Sequence, residues 1–238
     1  MGKVIAVTSG KGGTGKTVFT ANLGAVLAER GYKVVLIDMD MGLRNLDLCM
    51  GIENKVVYDV ADVLLGVCRI KQALIKDKRF ESLYVMASPQ YKKEEEITPL
   101  HMKLLCGKLR EKFDYIILDS PAGIDEGFRL AAYPADEAII LTTPEYSAIR
   151  DADVVDKCLK DMGVEERTYV INKVKADLIN SGLLPSLSEI TSMMRLELAG
   201  IIQDDENIHI AANKGIPIVL KKNTYIRKNF EQIADRVI

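Results

Sequence analysis

Eight residues near the N-terminus, Gly10-Lys-Gly-Gly-Thr-Gly-Lys-Thr17, constrain the fold more than any other stretch. They match G-x-x-x-x-G-K-[ST] in full and stand in the context that this pattern needs. The run before them, Lys3-Val-Ile-Ala-Val-Thr8, is apolar and β-branched, and Phe19, Leu23, Val26 and Leu27 after them recur at helical spacing. Strand, glycine loop and helix in that order gather backbone N–H groups at a helix N-terminus, where the partial positive charge favours phosphate. The expected nucleotide-binding segment is Gly10, Lys11, Gly12, Gly13, Thr14, Gly15, Lys16, Thr17 and Val18. Within it, Lys16 is expected to reach the β- and γ-phosphates and Thr17 to ligate magnesium.

The helical pattern closes at Gly31, which suits a C-cap, and the continuous apolar run Val34-Val-Leu-Ile37 has the character of a strand buried on both faces. Further strands are predicted at 83–87, 115–118, 138–141, 168–171 and 200–202, with helical patterns at 100–113, 148–162 and 225–238. This alternation predicts one α/β domain over 1–238, a mostly parallel, doubly wound P-loop NTPase sheet with helices on both faces. Ligands of such sheets bind beyond the carboxyl ends of the strands. The stretches 90–98, with its run Lys92-Lys-Glu-Glu-Glu96, and 175–186 read as solvated loops or helix starts.

Acids follow two of the predicted strands, in Ile37-Asp-Met-Asp40 and Tyr115-Ile-Ile-Leu-Asp119. Both ends are expected to face the glycine loop. Asp119 has the position of a Walker B acid that holds magnesium through water, and one of Asp38 and Asp40 is placed to orient an attacking water. The segment Val170-Ile-Asn-Lys-Val-Lys175 begins like the guanine-reading N-K-x-D, yet Lys175 replaces the aspartate. An ammonium cannot accept the two N–H bonds of guanine, so ATP is expected over GTP.

An apolar fraction of 48% with 28% charged residues supplies a large core and no compositional case for disorder. The formal charge of −2 offers no global attraction to nucleic acid, and none is expected as a partner. Cys49, Cys68, Cys106 and Cys158 show no C-x-x-C spacing, which argues against zinc, an iron–sulfur cluster or a disulfide framework. His101 and His209 are isolated and read as surface or packing residues, leaving magnesium as the one metal expected. No apolar run approaches the ~20 residues of a membrane span, and Ala6 stands where a myristoylation signal requires Ser or Thr. The expected location is the cytoplasm.

Lys11 turns the loop into the KGGTGKT form of the deviant Walker A ATPases, a family that the chain resembles. Within it, Thr8-Ser-Gly-Lys-Gly-Gly13, Asp40-Met-Gly-Leu-Arg-Asn-Leu-Asp47, Asp119-Ser-Pro-Ala-Gly-Ile124 and Arg150-Asp-Ala-Asp153 resemble the MinD family of bacterial division-site ATPases. The resemblance runs from Lys3 to about Arg236. It implies an ATPase that forms a homodimer with ATP, in which Lys11 contacts the partner subunit's nucleotide. It also implies that Asp40 positions the hydrolytic water, that Asp38 and Asp119 serve Mg2+ with Thr17, and that the catalytic group is Lys11, Lys16 and Asp40. Asn172, Gln203 and Asp204 are then the base contacts, and 42–47 and 120–124 the segments that sense the γ-phosphate. Pro144, Glu145 and Asp151 are implied at the dimer face, with Asp151 able to anchor the incoming or free Lys11.

The implied partners are a MinC-type division inhibitor, MinE or another topological factor, and the inner face of the cell membrane. A ParA-type partition or flagellar-number ATPase shares the loop but usually differs in the switch segments. An iron–sulfur carrier ATPase needs paired cysteines, and a binding module without turnover has no use for Asp40. Three departures stand out: Val18 replaces a Ser or Thr, Gln203 replaces a proline, and the family's basic amphipathic tail does not follow the last helix. The expectation is that these 238 residues do not bind anionic liposomes and that the natural gene encodes the tail, with Lys221, Lys222, Arg227 and Lys228 as the alternative basic patch.

Overall fold

The computed structural model describes residues 1–91 and 97–237. The charged run 92–96 and the last residue of the final helical pattern lie outside the described residues. Eight strands form one sheet: β1 (Lys3–Thr8), β2 (Val34–Asp38), β3 (Ile75–Lys76), β4 (Leu83–Met86), β5 (Tyr115–Asp119), β6 (Glu137–Thr142), β7 (Glu166–Val174) and β8 (Glu197–Gln203). Their order is β3-β4-β2-β5-β1-β6-β7-β8, and every pair is parallel except β3 with β4. The expected doubly wound α/β sheet is therefore present. Sequence periodicity missed β3 because two residues are too short to show any, and it cut β7 short at Ile171 where the strand continues through a bulge to Val174.

Strand geometry explains how one apolar run serves two cores, since successive side chains point to opposite faces. Ile5 and Val7 of β1 pack with Leu36 and Ile117 beneath the helix Lys16–Glu29 and the helix Tyr225–Val237. Val4 joins Val35, Ile116 and Met102 under the helix Pro99–Leu109, while Ala6 joins Ile140 and Ile149 under the helix Tyr146–Asp161. The helix Lys16–Glu29 is enclosed by sheet and last helix, with the Phe19 and Phe230 rings 5.7 Å apart, and it carries the glycine loop at its start. Burying each such side chain contributes about 1.5–3 kcal/mol, so the loop is mounted on one of the most firmly packed helices.

The last helix buries Ile226, Phe230, Ile233 and Val237 at the spacing read from the sequence. Arg227 is not part of a basic patch: its guanidinium meets Glu29 at 2.8 Å, Glu231 at 2.7 Å and the Val219 carbonyl at 2.8 Å. Helix geometry turns it inward over the first helix, and only Lys221, Lys222 and Lys228 of that group are exposed. No helix among the described residues is long and apolar enough to cross a membrane.

The last helix lies so close to β8 that a Cβ on Gly200 would come 2.4 Å from Ile233 Cγ1. Gly200→Ala should therefore destabilise the protein by about 1–3 kcal/mol in urea unfolding. In an Ile233→Ala background the same change should cost at least 0.5 kcal/mol less, roughly the threshold at which contacting residues couple. Strict additivity would show that the helix does not rest on this glycine.

Candidate functional site

β1 ends at Thr8 in the middle of the sheet, and the chain must turn at once to start the first helix. Gly13 and Gly15 make that turn with φ of 76° and 93°, a region costly for other residues. Gly10 lies against Asp151, whose Cβ would be 2.5 Å from an added Cβ, and Gly15 lies equally close to the Asn172 amide nitrogen, at 2.6 Å. The loop is thus clasped from both sides by the helix Tyr146–Asp161 and the end of β7.

Lys16, the first residue of the helix, is buried, and its ammonium donates to Ser9 Oγ at 2.8 Å. Ser9 Oγ in turn donates to the Lys11 carbonyl at 2.7 Å. Burial pulls the Lys16 pKa down, opposed by the charges of Asp119 and Asp40. Gly12, Gly13, Gly15, Lys16, Thr17 and Val18 form one side of an open cleft of about 360 Å3. Asp40, Asn45, Asp119, Ser120 and Ala122 close its floor, and Asn172, Lys173, Gln203, Asp204, Ile208 and His209 form the far wall.

Parallel pairing sets Asp38 and Asp119 directly opposite each other at the ends of β2 and β5. Asp119 accepts from Thr20 Oγ1 at 3.3 Å and is also hydrogen-bonded by Thr17. Burial, reinforced by the neighbouring Asp38 charge, pushes its pKa up to about 8. Burial also raises that of Asp38, although three backbone amides oppose the shift. A site where a carboxylate resists ionisation beside a threonine hydroxyl fits a hard divalent cation, whose charge would replace the proton. Among the described residues no three His, Cys, Asp or Glu side chains cluster as a metal cage.

Asp38, expected to serve magnesium, is engaged by three backbone amides. Its Oδ1 accepts from the Asp40 amide at 2.9 Å and its Oδ2 from the Asn45 and Leu46 amides at 3.1 and 3.0 Å. It folds the segment 40–46 back on itself, and the acids that line the cleft are Asp40, Asp119 and Asp204. Asp40 is half-buried, with a pKa raised by burial and lowered by the Lys16 charge.

Lys11 does not reach Asp151. Its ammonium lies 3.2 Å from Glu145 Oε2 and 3.3 Å from Ser147 Oγ, at the start of the helix Tyr146–Asp161. Asp151 sits a turn further along, beneath Gly10. Asn172 also differs from a simple base reader: Nδ2 donates to the Thr14 carbonyl at 2.7 Å and Oδ1 accepts from the Lys173 amide at 2.9 Å. It ties β7 to the loop and keeps one N–H and one lone pair for a base. Asp204 pairs with Lys175 at 3.4 Å and lies 3.7 Å from His209 Nε2. His209, read from sequence as a surface or packing residue, is an exposed residue of the cleft because the helix Glu206–Asn213 folds against the first and second βα units. No local pattern announced it.

A family model described as an AAA domain matches residues 2–169. The septum site-determining protein MinD of Thermotoga maritima is 46% identical over 239 residues, covering 100% of this chain and 88% of that protein. Of solved structures, the MinC:MinD cell division protein complex of Aquifex aeolicus superposes with a TM-score of 0.91 at 39% identity, over 98% of this chain and 94% of that one. The septum site-determining protein MinD from Pyrococcus horikoshii complexed with Mg-ADP gives 0.90 at 30%, over 100% and 96%.

The folded protein holds the Asp119 proton to about pH 8, whereas a free carboxyl releases it near 3.8. The unfolded chain therefore binds fewer protons between these values, and this residue's stabilising contribution is lost as pH rises through the folded pKa. Asp119→Asn, which keeps the neutral shape, should raise the thermal midpoint of the ligand-free and metal-free protein more at pH 8.5 than at pH 5. Calorimetry at the two pH values decides it; an equal effect at both would mean that Asp119 is already ionised at pH 5.

Proposed function

The chain belongs to the MinD family of cell-division ATPases, and from that premise we propose that it is a magnesium-dependent ATP switch which forms a homodimer with ATP bound. The observation that carries this reading is the parking of Lys11. The loop's extra lysine sits at the cleft rim in an ion pair whose two side chains are 46% and 52% exposed. Such a pair contributes about 0–1 kcal/mol, so phosphates of a second subunit's nucleotide outbid Glu145 readily.

Within one subunit the loop amides and Lys16 bind the β- and γ-phosphates of ATP, with the Ser9 contact exchanged for the stronger charge-assisted bonds. Thr17 and Asp119 would hold Mg2+, which on binding neutralises charge on the phosphates. Asp40, on the cleft floor, orients the water that attacks the γ-phosphate. Lys11 from the other subunit supplies positive charge where negative charge develops on the phosphate oxygens during transfer. Asn172, Gln203 and Asp204 accommodate adenine, with Lys175 excluding the guanine contact.

In this reading the ATP dimer recruits a MinC-type inhibitor at the inner face of the cell membrane, and MinE or another topological factor stimulates hydrolysis, which resets the dimer. The support is the relationship to the division-site proteins above, one of them solved as a MinC:MinD complex. The segments 42–47 and 120–124 join the cleft floor to the surface, where Leu43 is exposed and able to report the state of the γ-phosphate.

Two substitutions test the reading. Asp40→Ala should keep ATP affinity within a few-fold while turnover falls by roughly 10²-fold or more, the scale of losing a positioned proton acceptor; a wild-type rate would end the role given to Asp40. Lys11→Ala should leave nucleotide binding to the monomer but abolish the dimer seen by light scattering with a non-hydrolysable ATP analogue. A dimer that persists removes the cross-subunit lysine from the scheme.

A further inference from the structure

Asp40 stands on a loop, so its aim depends on what holds the loop's backbone. On the N-terminal side the hold is evident: the Met39 amide donates to the Asp119 carbonyl at 2.9 Å and the Asp40 amide to Asp38 Oδ1. The other side is held from a different strand. Beyond β4 the chain continues through Ala87, Ser88 and Pro89, and Ser88 is completely buried. Its hydroxyl donates to the Asp40 carbonyl at 3.1 Å, and the Pro89 carbonyl accepts from the Gly42 amide, also at 3.1 Å. The Ala87 carbonyl accepts from the Val60 amide at 2.8 Å, which anchors the exit segment itself. β4 is the parallel neighbour of β2, so this segment runs alongside the Asp40 loop by construction of the sheet.

We propose that Ser88 is a positioning residue for hydrolysis, which together with the Pro89 carbonyl clamps the Asp40 peptide against the end of β4 and sets the direction of the Asp40 carboxylate. The inference rests on Asp40 as the group that orients water. Water-orienting groups are sensitive to small displacements, a shift of about 1 Å being able to cost as much as 10²-fold in rate. The Asp40 carbonyl also accepts from the Leu43 amide at 3.1 Å, so loss of the hydroxyl loosens the peptide without leaving it unbonded. Nothing in Ser88 touches the cleft, and ATP binding should not sense it.

The test is Ser88→Ala in the whole chain, with ATP turnover followed by release of radiolabelled phosphate and nucleotide affinity by calorimetry. The expected result is a kcat about 3- to 10-fold lower, in the range of a modest misalignment, with KM and ADP affinity unchanged and the thermal midpoint within two degrees of wild type. In an Asp40→Ala background the same change should have no further effect on the residual rate, because the two act on one step. An unchanged kcat in Ser88→Ala while Asp40→Ala is inactive overturns the clamp and leaves the catalytic reading intact. A rise in KM, or equal losses in both backgrounds, assigns Ser88 to binding or to general stability and equally overturns it. Normal turnover in Asp40→Ala sinks the reading of Asp40, and this inference with it.

Discussion

The structure depends on keeping charge buried where the parallel strands end. Asp38, Asp119 and Lys16 are each almost wholly enclosed, and water is not at hand to stabilise them. Isolated, each would carry a penalty of several kcal/mol, so every one is given a partner or a reason to stay neutral. Asp38 takes three amides, Lys16 takes a serine hydroxyl and faces Asp40 and Asp119, and burial pushes the Asp119 carboxyl towards its neutral form. The arrangement is incomplete in a directed way: a triphosphate beside Lys16 and a divalent cation beside Asp119 would satisfy what the protein leaves unsatisfied. Ligand binding and the electrostatic strain of the fold are the same problem.

That constraint also links the cleft to the surface. Because Asp38 meets its needs with the amides of Asp40, Asn45 and Leu46, the segment 40–46 is folded by a buried acid that does not itself line the cleft. Asp40, in the middle of this arrangement, is held on one side by β2 and β5 and on the other by the exit of β4. Exposed residues such as Leu43 and the buried Leu46 are then one short stretch from the phosphates. A loop pinned by a few hydrogen bonds at each end is suited to two discrete arrangements, since small shifts at the cleft must break or keep whole bonds.

Lys11 marks the contrast between the two lysines of the loop. Lys16 is committed to the interior and cannot leave without exposing the acids it faces. Lys11 is held by exposed groups at the start of the helix Tyr146–Asp161, where screening keeps the attachment weak. The same eight-residue motif therefore contains one cation built into its own site and one that is easily exchanged.

The strand–loop–helix unit, the parallel sheet, the two strand-end acids and the core face of the last helix were all legible in the sequence, because each is a local pattern with a local cause: glycine spacing, alternating or continuous apolar runs, helical periodicity. The family relationship was legible for a related reason, four short motifs being contiguous in the chain. What tertiary structure alone decided are the pairings across long separations. Lys11 chooses Glu145 and Ser147 over Asp151, Asn172 gives one of its two N–H bonds to the Thr14 carbonyl, Arg227 turns inward to Glu29, and His209 arrives at the cleft from a helix almost two hundred residues beyond the loop. Asp38 and Asp40 are two residues apart and look equivalent in the chain, yet one faces buried amides and the other the cleft. A sequence states which groups carry charge; which partner each one reaches depends on helix rotation and strand register, and these are set by packing of the whole core.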